Sequence, residues 1–164
     1  MAHEDFVIKW LNDAYAMETA LVQVLERHAK DAEGHTQLQN RIQAHIEPTR
    51  RHADRVEETI ERLGGDTSTL KTGIANIVGT LQGMSAGAAE DELVKNTISD
   101  YAAEQFEIAS YRALIAAAEE LGDQEMVRAC QDNLREDEEM ARWLERQLPT
   151  VAQEFLRSKA EEHG

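Results

Sequence analysis

Four glutamates lie on helical faces that are otherwise apolar: Glu18, Glu104, Glu107 and Glu136. Residues three apart on a helix are neighbours, so the carboxylates of Glu104 and Glu107 share one face. A buried carboxylate costs free energy unless it is hydrogen-bonded, paired or bound to a cation. Several carboxylates that converge in one bundle would repel one another, and a bound metal ion relieves that repulsion. The pattern therefore predicts a carboxylate metal site.

The fourth predicted helix contributes Glu136 and, three residues later, Glu139. Di-iron carboxylate bundles place a Glu-x-x-His motif on two of their helices, and Glu139 occupies the position of that histidine. A second carboxylate is chemically acceptable there, because hard oxygen ligands suit Mn²⁺ and Fe²⁺. Residues 136–139 also form a run of four acids, most of which must be solvated. Both glutamates are candidate ligands, and an exposed acidic face is the alternative.

The second predicted helix departs from the di-iron pattern. The glutamate expected on its apolar face is absent, and Pro48 occupies the nearest position. Proline removes a backbone donor and kinks a helix, which would allow Glu47 to turn inward. His45 and His52 flank the apolar stripe one heptad apart and are alternative ligands. A surface or hydrogen-bonding residue is the competing interpretation for each histidine.

The remaining reactive side chains fit packing or surface positions. His28 and His35 lie at a helix end and in a link, and both are interpreted as surface residues. Cys130 lies on an apolar stripe and is predicted to be a packed thiol. The tyrosines near the glutamates are interpreted as ordinary bundle packing, and they are Tyr15, Tyr101 and Tyr111.

Apolar residues recur at steps of three and four along most of the chain, which predicts long amphipathic helices. The expected helices cover residues 3–30, 36–63, 91–121 and 123–148, with Pro149 ending the last and a short tail helix over 150–160. Residues 66–90 are too long for a turn and are expected to form a crossover with one short helix. The fold predicted is all-α, an antiparallel four-helix bundle with a long crossover between helices 2 and 3.

Length and composition indicate one domain over residues 1–164. The formal net charge is −15, which argues against nucleic-acid binding and against an anionic membrane surface. No apolar run reaches the roughly 20 residues of a spanning helix. The N-terminal residues lack a secretory signal pattern, and the single cysteine fits a reducing compartment, so a cytoplasmic location is expected.

Three segments resemble the bacterial YciE/YciF family of ferritin-like stress-response proteins: 11–18, 101–111 and 140–144. The resemblance extends over residues 8–157 and looks closer to the YciE branch. It implies a ferritin-like bundle that is usually dimeric, with a dinuclear iron or manganese site. Ferroxidase- or peroxidase-like chemistry in the bacterial stress response is the activity that the resemblance implies.

The family's carboxylates map onto Glu18, Glu104, Glu107 and Glu136, whereas its second-helix glutamate is Pro48 here. Three outcomes remain open: Glu47 or a histidine substitutes, one metal binds, or none binds. The alternative function is a metal-free helical interaction protein that has lost the site. In either case a homodimer is expected, because the chain carries more large apolar side chains than one slim bundle buries: Trp10, Trp143 and Phe155.

Overall fold

The computed structural model describes residues 2–85 and 90–164, and these residues form five helices and no strand. The four long helices and the short one in the connector were all predicted, with starts and ends displaced by a few residues at most, except at the C-terminus. The helices are α1 (Ala2–Asp31), α2 (Thr36–Arg62), α3 (Lys71–Ser85), α4 (Glu92–Leu121) and α5 (Gln124–Glu162).

Local sequence signals set the helix ends. The side chain of Asp123 accepts a hydrogen bond from the backbone N–H of Met126 at 3.0 Å, which caps the start of α5. Gly122 follows α4 with a φ of 70°, a left-handed conformation that only glycine adopts without strain. Gly64 does the same after α2 with a φ of 87°.

The two long helices of the first half lie against the two of the second half in antiparallel pairs. His28 contacts Asp100 and Glu18 contacts Tyr111, so α1 and α4 run in opposite directions. Because the short link after α1 also makes α2 antiparallel to it, α2 and α4 are parallel. The chain must therefore cross the full bundle between them, as the long crossover was predicted to do.

The crossover packs on the bundle as well as connecting its halves. Helix α3 lies against α1 and α4, and its Leu81 is 5% exposed. The hydroxyl of Ser99 donates to the backbone carbonyl of Leu81 at 3.3 Å. These contacts support the interpretation of residues 66–90 as a packed connector, although residues 86–89 of that range lie outside the described part of the chain.

The prediction that the fourth long helix ends at Pro149 was wrong. Helix α5 continues through Pro149 to Glu162, so the expected tail helix is its last part. Proline removes one backbone hydrogen bond, to the carbonyl of Glu145. Packing beyond that point favours continuation, because Val151 joins the apolar cluster around Leu21 and Leu25.

Two apolar clusters fill the two ends of the bundle. One contains Leu11, Ile60 and Leu114, and the other contains Leu21, Leu25 and Ile42. Cys130 lies in the first cluster at 3% exposure, where burial raises the pKa of its thiol to about 12, so the prediction of a packed thiol is confirmed. A layer of buried polar side chains separates the two clusters.

The three aromatic residues expected at a dimer surface differ in exposure. Trp10 is 47% exposed, whereas Trp143 and Phe155 are half-buried. Trp143 packs on the second apolar cluster, with the guanidinium of Arg41 over its ring. Among the described residues, no helix is both long enough and apolar enough to cross a membrane.

Candidate metal centre

The polar layer between the apolar clusters holds four carboxylates and two imidazoles, contributed by all four long helices. Each of these six side chains is at most 5% exposed. Helix periodicity explains their convergence, since residues three, four or seven apart face the same side. The six, called here the central cluster, are Glu18 on α1, His45 and His52 on α2, Glu104 and Glu107 on α4, and Asp137 on α5.

One side of the central cluster is formed by Glu18, His52 and Asp137. The Nδ1 atom of His52 lies 3.3 Å from Oε1 of Glu18 and 3.4 Å from Oδ1 of Asp137. One ligand atom from each residue lies within 4.8 Å of the others. This spacing suits a single divalent cation bound by two carboxylates and one imidazole.

The other side is formed by His45, Glu104 and again Asp137, whose ligand atoms also lie within 4.8 Å of one another. The Nε2 atom of His45 is 2.8 Å from Oε1 of Glu104. Asp137 thus belongs to both groups, and its two carboxylate oxygens allow it to serve a cation on each side. The geometry therefore gives two overlapping groups of three possible ligands that share Asp137.

Most polar atoms of the central cluster have no hydrogen-bond partner, although buried polar groups are nearly always paired. Both oxygens of Glu107 and both oxygens of Asp137 are unpaired. So are one oxygen each of Glu18 and Glu104, and both ring nitrogens of His52. Such a concentration of unpaired carboxylate oxygens beside imidazole side chains is what a cation site requires.

Burial raises the pKa of three of the carboxyl groups, because it penalises their charged forms. For Glu18 and Glu104, burial is the main cause and the charge of Asp137 adds to it. For Glu107, burial is followed by the charges of Glu18 and Asp137, and its pKa lies well above the ordinary range. The charged forms of these carboxyl groups are therefore disfavoured without a cation, and a bound cation would favour them.

The two histidines of the cluster respond differently to their surroundings. Burial alone would lower the pKa of His52, but the nearby carboxylates of Asp137 and Glu18 outweigh it and raise the pKa to about 10. Burial lowers the pKa of His45 to about 4. His45 is therefore neutral near neutral pH, the form in which an imidazole binds a metal.

Hydrogen bonds from a second set of side chains hold the cluster in place. The hydroxyl of Tyr111 donates to Oε1 of Glu18 at 2.7 Å. Asn133 donates to Tyr111 at 3.1 Å and to the backbone carbonyl of His52 at 3.2 Å. Tyr111 therefore does more than pack, since its polar end fixes one of the candidate ligands.

The donor set has the composition of a di-iron carboxylate site but a different distribution. Such sites use four glutamates and two histidines, with one histidine on each of two helices. The central cluster also has four carboxylates and two histidines, but both histidines lie on α2 and two glutamates lie on α4. Donors of these types suit Fe²⁺ and Mn²⁺.

Five of the eight ligands predicted from sequence lie in the central cluster, and three do not. Glu136 is 24% exposed at its edge, where Arg51 and Arg55 contact it. Glu139 is exposed. Among the described residues, neither of the two groups of close ligand atoms includes Glu47, Glu136 or Glu139.

The inward turn of Glu47 that a kink at Pro48 would allow does not occur. Helix α2 continues through Pro48, and the side chain of Glu47 is 67% exposed and paired with Arg50. Thr49 occupies the buried position instead, with its hydroxyl donating to the backbone carbonyl of His45 at 2.7 Å. Because the helix remains regular enough to keep its faces, Glu47 stays outside.

Sequence reasoning missed two features of the buried layer. Asp137 was passed over because it stands in an acidic run, although it shares an apolar stripe with Cys130 and Ala141. The interpretation of His28 as a surface residue was wrong, since it is 1% exposed. Its Nδ1 atom lies 2.7 Å from Oδ1 of Asp100, a second buried pair between α1 and α4.

The family model described as "Domain of unknown function (DUF892)" matches residues 2–157. The chain belongs to this family. Protein YciF of Escherichia coli (strain K12) is 29% identical over 143 residues, which are 82% of each protein. The resemblance to the YciE/YciF family is confirmed, while a closer relation to the YciE branch stays a prediction.

Solved structures show the same fold. A protein from Xanthomonas campestris superposes with a TM-score of 0.82 and 33% identity, over 98% of this chain and 99% of its own. The E. coli stress protein YciF superposes with a TM-score of 0.74 and 22% identity, over 92% and 97%. A Desulfovibrio desulfuricans bacterioferritin with a diiron site gives 0.73 and 24%, over 93% and 83%. This DUF892 protein is therefore a ferritin-like helical bundle.

Proposed function

We propose that this protein is a ferritin-like, non-haem protein that binds two iron or manganese ions in its central cluster. The observation that carries the proposal is the group of buried polar atoms without hydrogen-bond partners on Glu18, His52, Glu104, Glu107 and Asp137. Leaving a buried polar group unpaired costs about 1–3 kcal/mol. Several such unpaired groups lie close together in this fold, and all are carboxylates or imidazoles that can bind a metal ion. Their arrangement therefore suits cation binding.

Each of two groups of three ligands would bind one ion. Glu18, His52 and Asp137 would hold one ion, and His45, Glu104 and Asp137 the other. Glu107 has both oxygens free and its pKa is raised by burial and by the charges of Glu18 and Asp137, so it would complete the coordination of either ion. In this arrangement α2 contributes its two histidines as ligands, with no glutamate at position 48.

Bound ferrous ions would supply electrons for the reduction of dioxygen or hydrogen peroxide, giving ferroxidase- or peroxidase-like activity. The chain's own contribution is to bind, to orient and to exclude water. Tyr111 orients Glu18 through its hydrogen bond, and the apolar clusters close both ends. A role in the bacterial stress response, a cytoplasmic location and a homodimeric state complete the proposal, and the E. coli relative described as a stress protein supports the first of these.

Metal content tests the proposal directly. Protein purified without chelator, or reconstituted anaerobically with Fe²⁺ or Mn²⁺, is expected to bind close to two ions per chain, with anomalous scattering at the central cluster. Asp137→Asn should lose most of this metal, because Asp137 belongs to both ligand groups. Asp132→Asn, on the same helix and 46% exposed, is the matched control. Stoichiometry well below one ion per chain in the wild type would refute the proposal.

A metal-free interaction protein is the second candidate, and the raised pKa values favour it. Protonated glutamates can share hydrogen bonds without a cation, as Glu104 does with His45 and Glu18 does with Tyr111. In that case Glu107→Gln would leave the melting temperature unchanged or raise it by removing like-charge repulsion, and added metal would have no effect. A metal protein loses metal-dependent stabilisation in the same variant.

A further inference from the structure

A continuous chain of hydrogen bonds leads from the protein surface to Glu18 and crosses all four long helices. A guanidinium N–H of Arg55 on α2 donates to Oδ1 of Asn133 on α5 at 2.9 Å. Asn133 donates from Nδ2 to the hydroxyl of Tyr111 on α4 at 3.1 Å. Tyr111 donates to Oε1 of Glu18 on α1 at 2.7 Å. Arg55 is 31% exposed, whereas the other three side chains are each 0% exposed, so the chain begins at solvent and ends at a candidate ligand.

Hydrogen-bond chemistry fixes the direction of every proton in this chain. An arginine side chain has donors and no acceptor, so the Asn133 atom that faces Arg55 must be the amide oxygen. The amide nitrogen of Asn133 then lies on the other side, where it also donates to the backbone carbonyl of His52 at 3.2 Å. Because the oxygen of Tyr111 accepts from Asn133, the single phenol proton is left to donate to Glu18.

The fixed direction of the chain leaves one oxygen of Glu18 held and the other unpaired. Oε1 accepts from Tyr111, and Oε2 is buried without a hydrogen-bond partner. Hydrogen bonds in a chain polarise and strengthen one another, so each donor upstream makes Tyr111 a stronger donor to Glu18. Hydrogen bonds from residues that do not bind the metal commonly orient the side chains that do. The chain therefore holds Glu18 in an orientation that leaves Oε2 available to a cation.

We propose that Arg55 and Asn133 are positioning residues that act through Tyr111 to set the orientation of Glu18 as a metal ligand. Of the two ligand groups in the central cluster, one contains Glu18 and the other contains no residue of the hydrogen-bond chain. The chain should therefore govern the affinity for one ion and leave the affinity for the other ion unchanged. This inference rests on the proposed metal-binding function.

Co²⁺ binding to variants of Arg55 tests this role without changing a fully buried residue. Chelator-treated protein is titrated with Co²⁺ against a competing chelator, and the visible absorbance of the bound ions is recorded. Arg55→Gln replaces a side chain that only donates with an amide that also accepts, so residue 55 no longer dictates the direction of the chain. We expect the affinity for one of two Co²⁺ ions to fall by about threefold, since a single hydrogen bond makes a modest net contribution. The visible spectrum of that ion should change with it.

Two variants separate the direction of hydrogen bonding from the loss of charge. Arg55→Lys keeps a side chain that only donates and should retain most of the wild-type affinity. Arg51→Gln removes the same charge one turn away on α2, and both arginines contact Glu136. Because the printed contact of Arg51 is with Glu136 and not with Asn133, Arg51→Gln is the matched control and should bind Co²⁺ as the wild type does.

The dependence on Tyr111 distinguishes positioning from general structural support. Tyr111→Phe removes the hydroxyl through which Arg55 acts, and we expect it to weaken the binding of one Co²⁺ ion by about tenfold. Adding Arg55→Gln to Tyr111→Phe should then cause no further loss of affinity. If Arg55 only supported the fold, the double variant would show the sum of the two losses.

Each alternative outcome is distinguishable. Equal Co²⁺ affinities and spectra in Arg55→Gln and the wild type would overturn the positioning role while leaving the metal centre intact. Additive losses in the double variant, or the same loss in Arg51→Gln, would overturn it too. A wild-type protein that binds no Co²⁺, Fe²⁺ or Mn²⁺ would refute the proposed function and the positioning role together.

Discussion

Two buried groups of histidine and carboxylate side chains involve helices α1 and α4 and differ in composition. The His28–Asp100 pair joins α1 and α4 with one imidazole, one carboxylate and a distance of 2.7 Å, at 1% and 2% exposure. The central cluster joins the same helices through Glu18 and Tyr111, but it contains four carboxylates and only two imidazoles. Burial is the same in both places, and the ratio of acids to bases differs.

The ratio decides what each group of residues can do. A single acid and a single base can satisfy each other by sharing one proton, and both can remain buried without a cation. Four acids and two bases cannot, so the excess carboxylates must stay protonated or bind a cation. A buried histidine near an acid is therefore a weak sign of a metal site, whereas a surplus of unpaired acids is a strong one.

Breaking the His28–Asp100 pair should produce the largest effect on the free energy of unfolding. His28→Ala leaves Asp100 buried without its partner, and removing one member of a buried pair costs about 3 kcal/mol or more. Urea unfolding of chelator-treated protein, repeated with saturating Mn²⁺, measures the loss. We expect the same loss in both conditions, because His28 is outside the central cluster.

Two further variants test the difference between the His28–Asp100 pair and the central cluster. His35→Ala, an exposed histidine in the link after α1, should leave the free energy of unfolding almost unchanged. Glu107→Gln should stabilise the chelator-treated protein by removing repulsion, and should reduce the stabilisation that Mn²⁺ provides. A loss in His28→Ala that appears only with Mn²⁺ would contradict the distinction between the two regions.

The difference between the two regions also explains which buried residues could be predicted from the sequence. Periodicity identified the faces of the four long helices, so the spacing of apolar residues alone was enough to place Glu18, Glu104 and Glu107 on the inside. Adjacent residues on a helix point about 100° apart. One position in the acidic run therefore separates the half-buried Glu136, which was predicted as a ligand, from the buried Asp137, which lies on the apolar stripe through Cys130 and Ala141.

The His28–Asp100 pair could not be found in the same way, because its burial depends on a distant element. His28 stands near the end of α1, where local sequence favours exposure. Helix α3 packs against α1 and α4, and its Leu81 joins the same apolar cluster as Leu25 and Ala29. Local sequence predicts the existence of α3 but not the side on which it lies.

The pH dependence of stability should reveal the surplus of acids. The pKa values of Glu18, Glu104 and Glu107 are raised in the folded state, so the folded protein holds more protons than the unfolded chain above about pH 4.5. Their stabilising contribution is full at low pH and is lost as pH rises through the folded pKa values. A pKa that differs by one between the folded and unfolded states corresponds to about 1.4 kcal/mol. Unfolding free energies of chelator-treated protein from about pH 5 to pH 8 measure this slope.

Glu107→Gln isolates one carboxyl group in that profile. The variant cannot lose the proton of residue 107, so its stability should fall less steeply than that of the wild type as pH rises. Saturating Mn²⁺ should flatten or reverse the wild-type slope, since cation binding favours the deprotonated carboxylates. Parallel profiles for the wild type and Glu107→Gln would mean that Glu107 is already ionised in the folded protein without metal.

The smallest effects are expected from the acidic residues that the structure places outside both buried regions. Glu47 is 67% exposed and pairs with Arg50, and Glu139 is exposed on α5. Substitutions of exposed side chains usually change stability by less than about 0.5 kcal/mol. Glu47→Gln and Glu139→Gln should therefore bind as much Mn²⁺ as the wild type, measured by equilibrium dialysis. Metal loss in Glu47→Gln would mean that α2 rearranges around Pro48 when the ions bind, and that the surplus of acids extends beyond the central cluster.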